Sequence, residues 1–282
     1  MSDLKDWQSS VGGFVPRPRL EEYSVKYADY ARFRRQDGIL EVALHTSGAS
    51  VTADGAWFAT HNAWAQLWLE VGNDPDNEVL ILTGTGEEWF RTAAATTQEQ
   101  NDEIQRAQAQ LPLDHAYEHA YYDGSKLLEN LIFAVDIPTI AAINGPSAAH
   151  TEIALLCDIT LAADTATIID PHFSVGVVPG DGQQLTLQEL IGAKRAAYYL
   201  YTGQPIDAAT ALQLGLVNEV LPPAELLKRA WELAELIASK PRTTRRLTHA
   251  VAQRPWKRRL VDDLGFGFAH EMFGIGVLPK PQ

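Results

Sequence analysis

Four strand-like runs, closed by glycine or polar turn residues, constrain this chain most: the alternating ILEVAL and the mainly apolar VLILTG, TIAAI and ITLAA. A continuous apolar run of five or six residues is the signature of a strand buried on both faces. The first run forms a hairpin with ARFRRQ across the Asp37-Gly38 pair, a two-residue turn signal. Between the first two runs lies GAWFATHNAWAQLWLEVGND, with Trp57, Trp64, Leu67 and Trp68 at helical spacing. Alternation of strand and helix over this length predicts a layered α/β protein. GQQLTLQELIGAKRAAYYLYTG reads as one amphipathic helix closed by Gly203, and the chain beyond it as helical apart from VNEVL.

The 282 residues carry a formal net charge of -13. That disfavours a nucleic-acid partner, because neutralising phosphates requires a basic surface. Cys157 is the single cysteine, so no intrachain disulfide can form and a reducing compartment is expected. No run of about 18 apolar residues suggests a membrane span, and MSDLKDWQSSVGGFVPRPRL lacks the apolar centre of a signal peptide, so a cytoplasmic protein is expected. The boundaries read as an arm over 1–28, a core over 29–215 and a helical region over 216–282.

DPHFSVGVVPGDG, at 170–182, reads as a loop, a short extended run and a second tight turn, with His172 near one end and Asp181 near the other. Such a pair can be a catalytic dyad, or only a turn histidine and a helix-start aspartate. His115 and His119 have i, i+4 spacing, but no third ligand stands at a metal-site spacing, so no metal is expected. The chain has no G-x-S-x-G nucleophile elbow and no phosphate-loop lysine after TGTGEE.

In order, VLILTGTGEEWF, IPTIAAINGP, EIALLCDITLAADTAT, VGVVPGDG and AAYYLYTGQPIDAATALQLGLVNEVLP resemble the crotonase (enoyl-CoA hydratase/isomerase) superfamily over residues 30–240. The resemblance implies an α/β ββα spiral of two roughly perpendicular sheets, with a helical C-terminal region used in trimers or dimers of trimers. It also implies an oxyanion hole of two backbone N–H groups. The first falls at Ala94 in TGTGEEWFRTAAAT, and the second, near Ala149, in NGPSAAHTE. Two departures stand out. His150 has entered a glycine run, and His172 occupies the place of one of the two hydratase glutamates, while Glu152 keeps the other.

NGPxxxHxE with PHF, PGDG and a late HE is similar to the β-diketone hydrolase branch typified by 6-oxocamphor hydrolase. That resemblance implies hydrolytic retro-Claisen cleavage of a cyclic β-diketone without coenzyme A or metal. His172, Asp181, His150 and Glu271 would be catalytic, and Trp57, Ala94, Ala149 and Glu152 would line the substrate. On this reading neutral His172 takes a proton from water and Asp181 accepts its other ring N–H. His150 and Trp57 would hold a carbonyl oxygen, and Glu271 would support them. A crotonase-fold acyl-CoA enzyme using Glu152, and a non-catalytic scaffold, are the competing expectations.

Overall fold

The protein is described by a computed structural model over residues 15–52, 57–91 and 113–277. Helix α1 (Leu20–Lys26) opens it and docks through Tyr23, which is fully buried and donates to Asp74. The last third of the expected 1–28 arm is thereby packed on the core; residues 1–14 lie outside the described residues.

Strands β1 (Ala31–Gln36) and β2 (Ile39–Leu44) pair antiparallel through Asp37 and Gly38, both left-handed at φ 49° and 82°. That matches the two positive φ angles a tight primed hairpin turn requires. After β3 (Val51–Thr52), α2 (Trp57–Asn73) crosses over to β4 (Val79–Gly84), parallel to β2. β5 (Phe90–Arg91) follows. A π-helical stretch, Ala116–Tyr122, then leads into α3 (Asp123–Phe133) and β6 (Thr139–Ile143). Next come α4 (Glu152–Leu155), β7 (Ile159–Ala163) and β8 (Thr167–Ile168).

The stretch from Gln183 to Thr202 is two helices, α5 (Gln183–Ile191) and α6 (Ala193–Thr202), where one was expected. Gly192 separates them at φ 81°, a conformation a side chain disfavours and a continuing helix excludes. β9 (Ile206–Asp207), α7 (Ala208–Leu214) and β10 (Glu219–Leu221) complete the strand set. The tail then forms α8 (Pro223–Ala238), α9 (Arg242–Ala252), α10 (Arg254–Arg259) and α11 (Gly265–Val277).

Among the described residues the main sheet has six strands in the order β1-β2-β4-β6-β7-β10, all parallel beyond the first hairpin. The second layer is made of short pieces. β3 pairs with β5 and β8 with β9, and single bridges Phe90–Ser147 and Pro146–Thr167 join the two pairs.

Alternate residues of the central strands serve two cores, as period-two side-chain geometry demands. Leu40, Val42, Leu80, Leu82, Ala141 and Ile143 meet Trp64, Leu67 and Trp68 of α2 and Leu127 and Leu131 of α3. Ile39, Ile81, Ile140 and Leu161 meet Leu226, Ala230 and Ala234 of α8. β10 joins the main sheet and α8 covers its second face, so the first part of the segment read as the C-terminal helical region, 216–282, packs on the core.

Candidate active site

Three loops and one helix converge where the second layer meets the tail. The first loop, between β6 and α4, carries His150 at φ 55°. A non-glycine residue in the left-handed region is uncommon, although histidine enters it more readily than most. Trp89 donates its indole N–H to the His150 carbonyl at 3.1 Å, which fixes that backbone. Two residues on, at the first turn of α4, Glu152 places Oε1 2.6 Å from His150 Nδ1.

The second loop leaves β8. Asp170 Oδ1 accepts the backbone N–H of His172 at 3.0 Å and lies 2.9 Å from its Nδ1. The chain then makes a single 3-10 turn, Phe173–Val175, closed by left-handed Gly176. The extended run expected here forms no strand, and its first residues lie in this turn. Gly176 and Pro179 interrupt the valines, and the carbonyl of His172 accepts from the N–H of Val177 within the turn.

The third loop, PGDG, ends at α5. Asp181 Oδ1 accepts from the N–H of Gln183, and Oδ2 lies 3.5 Å from His172 Nε2 and 3.7 Å from His150 Nδ1. Its carboxylate stands between the two imidazoles. Helix α11 brings Glu271 Oε1 to 3.9 Å from the same His172 nitrogen. The helix can come this close because Gly180 and Gly267 lie backbone to backbone: a Cβ on Gly267 would sit 2.4 Å from the Gly180 carbonyl oxygen.

His172 and His150 keep 17% and 11% of their side-chain surface, so the cluster is accessible although its carboxylates are buried. Burial opposes charge on both imidazoles, but facing carboxylates outweigh it. His172, beside Asp181, Asp170 and Glu271, is raised to about 10. His150, beside Glu152 and Asp181, is also raised.

The carboxyl groups diverge. Burial favours protonation of Asp181, yet His172 and His150 hold its pKa below the ordinary value. At Glu271, burial and the charge of Asp181 win and raise it to about 8. Burial also raises Glu152.

The structure thus brings together His172, Asp181, His150, Glu271 and Glu152. Ala149 lies in the His150 loop, where its carbonyl accepts from Ser147 Oγ at 2.6 Å. Ala94 and the side chain of Trp57 lie outside the described residues.

Sequence reasoning missed two members. Asp170, not Asp181, faces His172 Nδ1. His61, on α2, packs edge-on to the His150 ring at 5.4 Å, and burial together with the His150 charge lowers its pKa to about 3. Its only sequence signal was a histidine within an apolar helical stripe.

His150, Glu152 and Asp181, and separately His172, Asp181 and Glu271, bring one ligand atom each within 4.8 Å of one another. A cation could bridge such spacings. Each of the two imidazoles already faces carboxylates, however, which is the arrangement of a proton-sharing network.

Residues 60–272 match the family model described as Enoyl-CoA hydratase/isomerase. The chain belongs to this family, the crotonase superfamily. It is 36% identical over 213 residues to the crotonyl-CoA hydratase of Syntrophomonas wolfei, covering 75% of this chain and 77% of that one. It is 32% identical to the short-chain-enoyl-CoA hydratase of Clostridium acetobutylicum, covering 73% and 74%. Among solved structures, a β-diketone hydrolase from the cyanobacterium Anabaena sp. PCC 7120, bound to (S)-3-oxocyclohexyl acetic acid, superposes with a TM-score of 0.81 at 32% identity. That match covers 94% of this chain and 99% of the other.

Proposed function

We propose that this crotonase-family protein hydrolyses a carbon–carbon bond of a cyclic β-diketone, releasing a keto acid. The observation that carries the reading is the contact of one imidazole nitrogen, His172 Nε2, with two carboxyl groups whose environments push their pKa values apart. A carboxyl held ionised beside one held protonated is the pattern of a base and an acid serving one reaction. The likeness to the Anabaena enzyme, whose bound ligand is a keto acid, supports the same class.

In this mechanism the His172–Asp181 dyad activates water. Ionised Asp181 takes the proton as the water oxygen bonds to one carbonyl carbon, and the imidazolium of His172 steadies the anionic pair. This reverses the roles expected from sequence, because a histidine raised to about 10 already carries its proton near neutrality. His150, held by Glu152, donates to the carbonyl oxygen and stabilises the tetrahedral oxyanion; one such donor is worth about 3 kcal/mol. Collapse of that intermediate breaks the C–C bond, leaving its electron pair as an enolate. Glu271 then protonates the enolate carbon, and the proton on Asp181 restores Glu271. Water is consumed and a carboxylic acid and a ketone are formed, so the step balances without a redox partner or an acyl carrier.

Glu152 and the hydratases among the relatives favour one competitor, hydration of an enoyl-CoA through Glu152. A side-by-side assay separates the two. Cyclic and bicyclic 1,3-diketones are expected to yield keto acids while crotonyl-CoA is left unchanged. Hydration of crotonyl-CoA with inert diketones would overturn the proposal.

A further inference from the structure

We propose that Asp170 is a positioning residue that fixes the ring of His172 with Nδ1–H engaged, so that Nε2 alone faces Asp181 and Glu271. Nothing in the sequence distinguishes this residue from an ordinary turn aspartate before proline. The geometry does. One carboxylate oxygen, Oδ1, takes both the backbone N–H of His172 at 3.0 Å and its ring Nδ1 at 2.9 Å. The two contacts close a ring across Asp-Pro-His, and Pro171 limits the backbone between them.

Asp170 is 3% exposed and lies two residues beyond β8, whose Ile168 pairs with Ile206 of β9. Its anchor is therefore the second sheet layer rather than a free loop. A turn needs only the backbone contact. The ring contact does something else: it selects which nitrogen is presented to the site.

The two faces of the imidazole are not equivalent. On the Nδ1 side, among the described residues, stands Asp170, at hydrogen-bond distance. On the Nε2 side stand Asp181 at 3.5 Å and Glu271 at 3.9 Å, both farther than Asp170. The orienting acid of a triad and the acid next to the chemistry are thus different residues, Asp170 and Asp181. If the ring turned over, carbon Cδ2 would face Asp170, Nε2 would move to the place of Cε1, and the Asp181–His172 pair would lose its alignment. An asparagine at 170 could still accept the backbone N–H through its carbonyl and keep the turn. That same oxygen would still face Nδ1 but without a full charge, so the Asp181 carboxylate on the other side would win the proton and favour the tautomer carrying it on Nε2.

The catalytic half of this inference rests on the β-diketone hydrolase reading; the tautomer half does not. The test is Asp170→Asn, read two ways. In diketone turnover, kcat is expected to fall by up to about 10⁴-fold with KM little changed, the loss that follows when a triad's orienting acid is neutralised. In nitrogen NMR of ¹⁵N-histidine-labelled protein, wild-type His172 at the alkaline end of its titration is expected to keep the proton on Nδ1, and the variant to carry it on Nε2.

A purely structural role predicts that Asp170→Asn matches wild type in both. That result, or a wild-type ring protonated on Nε2 at the alkaline end, overturns the proposal. The wild-type spectrum decides the matter even if the variant does not fold. Should no diketone be turned over, the spectra still test Asp170, so the two failures are distinguishable.

Discussion

Asp181 and Glu271 face the same imidazole nitrogen, yet the pKa of Asp181 is lowered and that of Glu271 raised, an asymmetry that separates a base from an acid. Because Glu271 is raised to about 8, it remains a proton donor through neutrality, and turnover is expected to decline as pH rises past that value. Glu271→Gln preserves shape but cannot donate a proton to carbon. It should lower kcat about 10²- to 10⁴-fold and abolish the alkaline decline near pH 8; a pH–rate profile checks both. The sign of the linked stability follows from the same shift. The folded state holds this proton more tightly than the unfolded chain, so the contribution is complete below the ordinary carboxylate pKa and is lost as pH rises through about 8. Between those limits wild type should lose stability relative to Glu271→Gln, measured by denaturant unfolding. His172, His150 and Asp181 stood out in the sequence because one replaces a hydratase glutamate, one enters a glycine run and one follows a turn Pro-Gly pair. Asp170 was not, because its role depends on one carboxylate oxygen meeting a backbone and a ring nitrogen together, which composition and spacing do not encode.

The packing of the PGDG loop against α11 is the element-scale feature that makes the site. Gly267→Ala would place a Cβ 2.4 Å from the Gly180 carbonyl oxygen and 2.5 Å from Gln184 Nε2. Backbone cannot yield to that cheaply, so the helix and the loop must separate and withdraw Glu271 from His172. The expected outcome is a fall in kcat of at least the same order as for Glu271→Gln, together with a lower Tm. Unchanged kinetics would show that Glu271 does not need this contact. The central strands were readable as elements because continuous apolar runs admit few alternatives. The turn at Phe173–Val175 was not foreseen within the loop at 170–182, because its valines carry strand propensity while Gly176 at φ 80° and the Asp170 contacts wind its start. The helix break at Gly192 was likewise invisible to periodicity, since apolar spacing continues through it.

For the whole molecule, the question is whether the C-terminal helices fold with the sheet or apart from it. The contacts join them. Arg242 and Arg245 of α9 pair with Glu78 at the start of β4, and His249 Nδ1 lies 2.7 Å from Asp158 Oδ2, which also accepts the N–H of Thr139 in β6. Leu226→Ala on α8 removes a side chain only 1% exposed and should cost about 2–5 kcal/mol while unfolding stays a single transition. Two separated transitions would restore the boundary expected at 216. Ordered motifs in the sequence revealed the superfamily, and VNEVL stood out from the helical tail; what periodicity could not show is that this stretch, as β10, pairs with β7. The central claim concerns chemistry, and isotope transfer tests it most directly. Wild type and Asp181→Asn are each given a cyclic 1,3-diketone in ¹⁸O-labelled water, and the product is analysed by mass spectrometry. The account predicts a keto acid with one labelled oxygen in its carboxyl group from wild type, and a large loss of that product from the variant. A diketone left intact by wild type, or cleaved equally well by Asp181→Asn, would contradict it.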